Sequence, residues 1–66
     1  MKIKINGKNE DIEKRLNLDQ LILEKGLCAE RIVVEHNLRI VPKEEWKRVI
    51  LHELDNIEIV SFVGGG

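Results

Sequence analysis

Aromatic residues make up only 3% of the 66-residue chain, one Trp and one Phe with no Tyr, so it has no platform on which nucleic-acid bases could stack. Neither sign of charge dominates. Eleven Lys and Arg stand against twelve Asp and Glu, a net charge of −1, and the basic excess of a nucleic-acid binder is missing. A single cysteine, Cys28, excludes an internal disulfide and argues against a zinc site. No apolar run approaches the ~18 residues of a membrane helix. The opening Met1-Lys2-Ile3-Lys4-Ile5 alternates charge with hydrophobe, unlike the continuous apolar core of a signal peptide. A reducing cytoplasm is therefore the expected location. The chain is also short. A domain of this size buries only roughly 60% of its unfolded surface, which leaves little room for an enclosed substrate pocket of ~300 Å³ or more. These limits favour a carrier, a binding module or a subunit over a self-contained enzyme.

What is present reads as one small domain. A hydrophobic fraction of 42% and a charged fraction of 35% are those of a folded globular chain. Lys2-Ile3-Lys4-Ile5 has the period-two pattern of a half-buried strand. Asn6-Gly7 then predicts a tight hairpin, because both residues tolerate positive φ. The return strand, about residues 8–14, is mostly polar with Ile12 inward, as an edge strand would be. Residues 18–25 form the predicted helix. Asn17 is its N-cap, Gln20 closes a capping box, and Leu16 and Leu21 are spaced as a hydrophobic staple. Leu18, Leu21 and Ile22 make the buried stripe, and Gly26 ends the helix.

The β-branched run 31–36 predicts a central strand. Asn37-Leu38 turns the chain into a short strand at 39–41. Pro42 starts a helical turn over 43–45 that brings Trp46 to the body, 47–51 is extended, and 52–56 is a polar connection. Residues 57–62 are the last strand, expected to pair centrally with the first. One sheet with a helix across one face is an α+β arrangement, of the β-grasp kind, over residues 1–63. Gly64-Gly65-Gly66 form a tail, since glycine offers no side chain to a core and loses the most backbone entropy on ordering. A tail without side chains is the thinnest peptide that could thread into another protein's active site and present the Gly66 carboxylate.

Period two divides the last strand into Ile57, Ile59 and Ser61 on one side and Glu58, Val60 and Phe62 on the other. The isoleucines belong toward the helix. Val60 and Phe62, with Val63 beyond, then lie on the helix-free face at the base of the tail and are the candidate partner-docking residues. Other groups carry less. Cys28 follows the C-terminal end of the helix, the wrong pole for activating a thiol. His36 and His52 have no sequence-local metal partners and read as strand-end or loop histidines. Glu44-Glu45 diverge on a helical turn and read as a solvated face. Trp46 reads as an anchor. No catalytic residue, metal site or cofactor of the chain's own is expected.

From end to end the chain resembles the small sulfur-carrier proteins of thiamine thiazole biosynthesis, which are ubiquitin-like β-grasp proteins. The resemblance lies in Ile3-Lys4-Ile5-Asn6-Gly7-Lys8, the helix over 18–25, residues 33–37, Ile40-Val41-Pro42-Lys43-Glu44-Glu45-Trp46, Ile57-Glu58-Ile59-Val60 and Phe62-Val63-Gly64-Gly65-Gly66. It implies a protein substrate. A ubiquitin-activating-type adenylyltransferase activates Gly66 as an acyl adenylate, and sulfur from a cysteine-desulfurase system converts it to a thiocarboxylate. Thiazole synthase then receives the sulfur, while ATP and Mg²⁺ serve the partner enzymes. Two other readings stand beside this one: a related carrier for molybdopterin or tRNA thiolation, and a non-catalytic interaction module with an inert tail. Two departures from the family pattern fall in turns. Leu38 replaces a usual Gly after Asn37, and Glu53-Leu54-Asp55 replaces Asp-Gly-Asp. Because Leu resists positive φ, both turns are expected to change type or to carry a bulge.

Overall fold

The structure, a computed structural model, describes residues 1–62. Its strands are β1 (Lys2–Ile5), β2 (Lys8–Asp11), β3 (Ile32–His36), β4 (Arg39–Ile40) and β5 (Asn56–Ser61), with one helix, α1 (Leu18–Glu24). They form a mixed five-stranded sheet in the order β2-β1-β5-β3-β4. β1 pairs antiparallel with β2 and parallel with β5, so the first and last strands meet at the sheet's centre as expected.

Alternation in β1 buries Ile3 and Ile5 and leaves Lys2 and Lys4 in water. Asn6 and Gly7 both take positive φ in the hairpin. β2 is indeed an edge, but it ends at Asp11 rather than near Lys14. Beyond it only Ile12 stays attached, donating its N–H to Met1 O and half-burying its side chain against the core. No apolar residue follows Ile12 until Leu16, so nothing holds 13–15 to the sheet.

α1 starts as its cap predicts. Asn17 Oδ1 accepts the Gln20 N–H at 2.8 Å, and Gln20 Oε1 accepts the Asn17 N–H at 2.9 Å. Lys25 is the C-cap, and Gly26 follows with φ +68°. The helix lays Leu18, Leu21 and Ile22 on the sheet, each worth about 1.5–3 kcal/mol of burial. Leu16, Ile32, Val34, Val41, Leu51 and Ile57 join the core with them.

The chain between β4 and β5 departs from its expected form. The 3₁₀ turn beginning at Lys43 continues through Arg48, so 47–51 is not a strand. Trp46 buries itself beneath this turn and donates its indole N–H to Val41 O at 2.9 Å. Closing that bond holds the backbone in turns for longer than the local sequence suggests. Within 47–51 only Ile50 forms a bridge, an isolated one to Asn17 outside the named strands. Arg31 ends a short 3₁₀ turn and does not open β3, Val41 lies outside β4, and β5 runs 56–61 instead of 57–62. The two leucines do not change their turns. Leu38 and Leu54 take φ +71° and +70° themselves, against the expectation of another turn type or a bulge.

Candidate functional site

β5 is the element that carries the chain toward its glycines, and the fold fastens it along both sides. On one side β3 pairs from Ile32↔Ser61 to His36↔Ile57. On the other, Lys4 and Ile5 of β1 pair with Asn56 and Ile57. Asn6 extends that grip. Its N–H donates to Ile57 O at 2.9 Å, and its Oδ1 accepts the Ile59 N–H at 2.7 Å. At the far end the Phe62 N–H donates to Arg31 O at 2.9 Å.

The start of β5 is locked by a polar cluster that sequence reasoning missed. Asp55, in the predicted polar connection, is 7% exposed. Its Oδ2 lies 2.8 Å from His36 Nε2 and accepts the His52 N–H at 2.8 Å, while Oδ1 accepts from Asn37 Nδ2 at 3.1 Å. Asn37 also clasps the strand, its Oδ1 accepting the Asn56 N–H and its own N–H donating to Asn56 O, both at 2.8 Å. Burial works to raise the Asp55 pKa. Hydrogen bonds from His36, Asn37 and the His52 backbone outweigh it, and the carboxyl sits below its ordinary 3.8. His36 is a strand-end histidine as expected, but its partner lies 19 residues away and leaves no local signal.

The register sorts the helix-free face. Val33 pairs with Val60, and Glu35 pairs with both Glu58 and Ile40, so these side chains share that face with Phe62. Val33, Ile40, Val60 and Phe62 are exposed, Phe62 by 48% and Val60 by 60%. The structure thus brings two of the three proposed docking residues together on an open apolar surface. Val63 and the tail residues Gly64, Gly65 and Gly66 lie outside the described residues. Ile57 is buried and Ile59 packs partly against the core, as the alternation requires.

Among the described residues, no group of three His, Cys, Asp or Glu side chains is placed to hold a metal ion. Cys28 is exposed at the start of a one-turn 3₁₀ segment. Glu44 and Glu45 flank the first turn before Trp46 and make no ion pair among the described residues. No helix of the described chain is long and apolar enough to cross a membrane.

A model of the ThiS family matches residues 3–66. The chain belongs to the ThiS family. It is 40% identical over 65 residues to the sulfur carrier protein ThiS of Bacillus subtilis, covering 97% of this chain and 98% of that protein. It superimposes on the crystal structure of the thiamine biosynthesis protein ThiS from Geobacter metallireducens with a TM-score of 0.86, at 28% identity and over the whole of both chains. The β-grasp fold is thereby shared. The Bacillus relative bears the name of a sulfur carrier, and the Geobacter structure that of a thiamine biosynthesis protein. It is also 38% identical over all 66 residues to a thiazole synthase of Paramagnetospirillum magneticum, of whose length it spans only 20%.

Proposed function

We propose that this chain carries sulfur on its C-terminal glycine for thiazole formation in thiamine biosynthesis. The observation behind the reading is the continuity of β5, pinned by β3 along its length and by β1 at its start and open on its apolar face, with the side-chain-free sequence Gly64-Gly65-Gly66. A free carboxylate is a poor electrophile. Transfer of AMP from ATP to the Gly66 carboxylate, with release of pyrophosphate, supplies a leaving group. The terminal sulfur of a donor persulfide then displaces AMP: the acyl carbon's bond to the AMP oxygen breaks and a C–S bond forms, giving an acyl disulfide whose S–S bond a thiol reductant cleaves, itself oxidised to a disulfide, to leave the thiocarboxylate. The adenylyltransferase, the cysteine-desulfurase donor system and the ATP and Mg²⁺ are external to this chain.

Thiazole synthase is the acceptor this reading favours. In the P. magneticum relative, a segment like this chain belongs to a protein bearing that name. Val60, Phe62 and Val63 are the docking residues of the proposal, and Gly64 and Gly65 thread the partner's active site. A reducing cytoplasm suits both the lone exposed Cys28 and a reactive thiocarboxylate.

Incubation with the adenylyltransferase, ATP and a sulfur donor tests the reading by intact mass. Gly66 gains the mass of one sulfur in place of one oxygen, and a variant with one residue appended after Gly66, verified as unprocessed, gains nothing. Sulfur on the extended variant refutes the carboxylate chemistry.

A further inference from the structure

β5 outruns β1. The parallel pairing covers only Lys4↔Asn56 and Ile5↔Ile57, after which the chain turns away at Asn6-Gly7. Asn6 closes the last of it by accepting the Ile59 N–H on its side chain. From there to Ser61 the strand has a neighbour on one side alone, β3. Backbone groups alternate along a strand, and the Phe62 N–H bonds Arg31 on the β3 side. Ile59 C=O, Ser61 N–H and Ser61 C=O therefore face the side where β1 has ended. Among the described residues none of the three has a hydrogen-bond partner. This is a bare strand edge roughly 10 Å long.

Its chemistry differs from that of the sheet's outer edge. β2 presents Lys8-Asn9-Glu10-Asp11, three charges in four residues, which discourages pairing with another chain. The bare length of β5 is Ile59-Val60-Ser61-Phe62, with no charge at all. Beside it lies a groove of about 310 Å³ in which Ile5, Leu27 and Ile59 are joined by Lys8, Glu10 and Lys25. An edge with three free backbone groups, no charge of its own and a groove alongside that offers both apolar and charged walls has the form of a site for strand addition.

We propose that this edge receives an extended segment of the adenylyltransferase, which adds one short strand beside Ile59–Ser61 and so aims the tail into that enzyme's active site. The inference rests on the carrier reading above. The occupant follows from continuity: the edge runs directly into Phe62 and the tail, so the enzyme that takes Gly66 has its own backbone within reach. The added segment supplies a carbonyl to the Ser61 N–H and N–H groups to the Ile59 and Ser61 carbonyls. It points one apolar side chain into the groove.

The Ser61 N–H is the group to remove, because the β3 ladder does not use it. Ser61→Pro deletes that donor and Ser61→Ala keeps it, and both leave the tail untouched. The expected result is a loss of affinity for the adenylyltransferase of about tenfold for Ser61→Pro and none for Ser61→Ala. Amide hydrogen exchange on the unaltered protein is the second measurement, and it decides alone if Ser61→Pro fails to fold. Ser61 exchanges fast in the free protein and slowly in the complex. Unchanged binding by folded Ser61→Pro, or a Ser61 amide that stays unprotected in the complex, overturns the proposal while leaving sulfur carriage intact. A free protein that dimerises with its Ser61 amide protected assigns the edge to a second copy and also overturns it. If the unaltered chain never gains sulfur, the carrier reading falls and this inference falls with it.

Discussion

Asp55 is the side chain whose loss should cost this fold most for its size. Its carboxylate gathers the His52 N–H, Asn37 Nδ2 and His36 Nε2, and so ties the 52–55 turn and the β3–β4 turn to the first residue of β5. Asp55→Ala strands two donors and an imidazole. A buried polar group left without its partner costs about 1–3 kcal/mol. His36 keeps some access to water and Asn37 is exposed, so the total belongs near the lower end, about 2–4 kcal/mol. A domain of this length has about 3–10 kcal/mol in all, and the midpoint falls by about 10–25 °C. Asp55→Asn preserves shape and removes the charge, and should cost about 1–2 kcal/mol. The pH dependence has a definite sign. The folded-state pKa lies below the ordinary 3.8, so the carboxylate's contribution is complete above that value and is lost as the pH falls through the folded one. Thermal unfolding followed by circular dichroism from pH 7 to pH 3 should show the gap between the unaltered protein and Asp55→Asn closing below about pH 4. An Asp55→Ala protein within about 0.5 kcal/mol of the unaltered one, or a gap that does not depend on pH, refutes the reasoning.

Further outcomes can be checked by similar means. Leu38→Gly and Leu54→Gly relieve positive φ at residues that are 86% and 80% exposed, and each should stabilise by about 0.5–1 kcal/mol in denaturant titration, because the strain released exceeds the entropy glycine adds. Trp46→Phe leaves the Val41 carbonyl without its indole donor and should cost about 1–3 kcal/mol, read as a lower urea midpoint at unchanged slope. Asn17→Ala opens both halves of the capping box and should cost about 1 kcal/mol by the same titration. Phe62→Ala, at a half-exposed position, should weaken binding to the adenylyltransferase or thiazole synthase at least tenfold while costing less than about 1.5 kcal/mol of stability; large destabilisation or normal binding removes Phe62 from the docking surface.

The elements legible in the sequence were those whose signals are local. Asn6-Gly7, the Asn17–Gln20 box, Gly26 and the alternation of β1 and β5 each declare a conformation within a few residues, and the structure has them all. The errors came where distant partners decide. β2 stops at Asp11 because the sheet offers no further apolar partner, and the 3₁₀ turn runs to Arg48 because Trp46 must reach Val41. Asp55 looked like any acidic turn residue; only folding brings His36 and Asn37 to it. For the candidate site, Val60 and Phe62 were readable from period two and stand exposed as expected. The bare edge at Ser61 was not, since it depends on how far β1 reaches along β5.

The central placement of β5 has a mechanical consequence. A force applied to the tail runs along β5, whose hydrogen bonds to β3 along its length and to β1 at its start lie across the strand and are loaded in shear rather than peeled one at a time. An enzyme could draw the glycines taut inside a narrow channel without fraying the strand behind them. On the proposed reading the glycines are a tether fixed to a central strand, and tension spent on positioning Gly66 is not lost in unravelling its carrier.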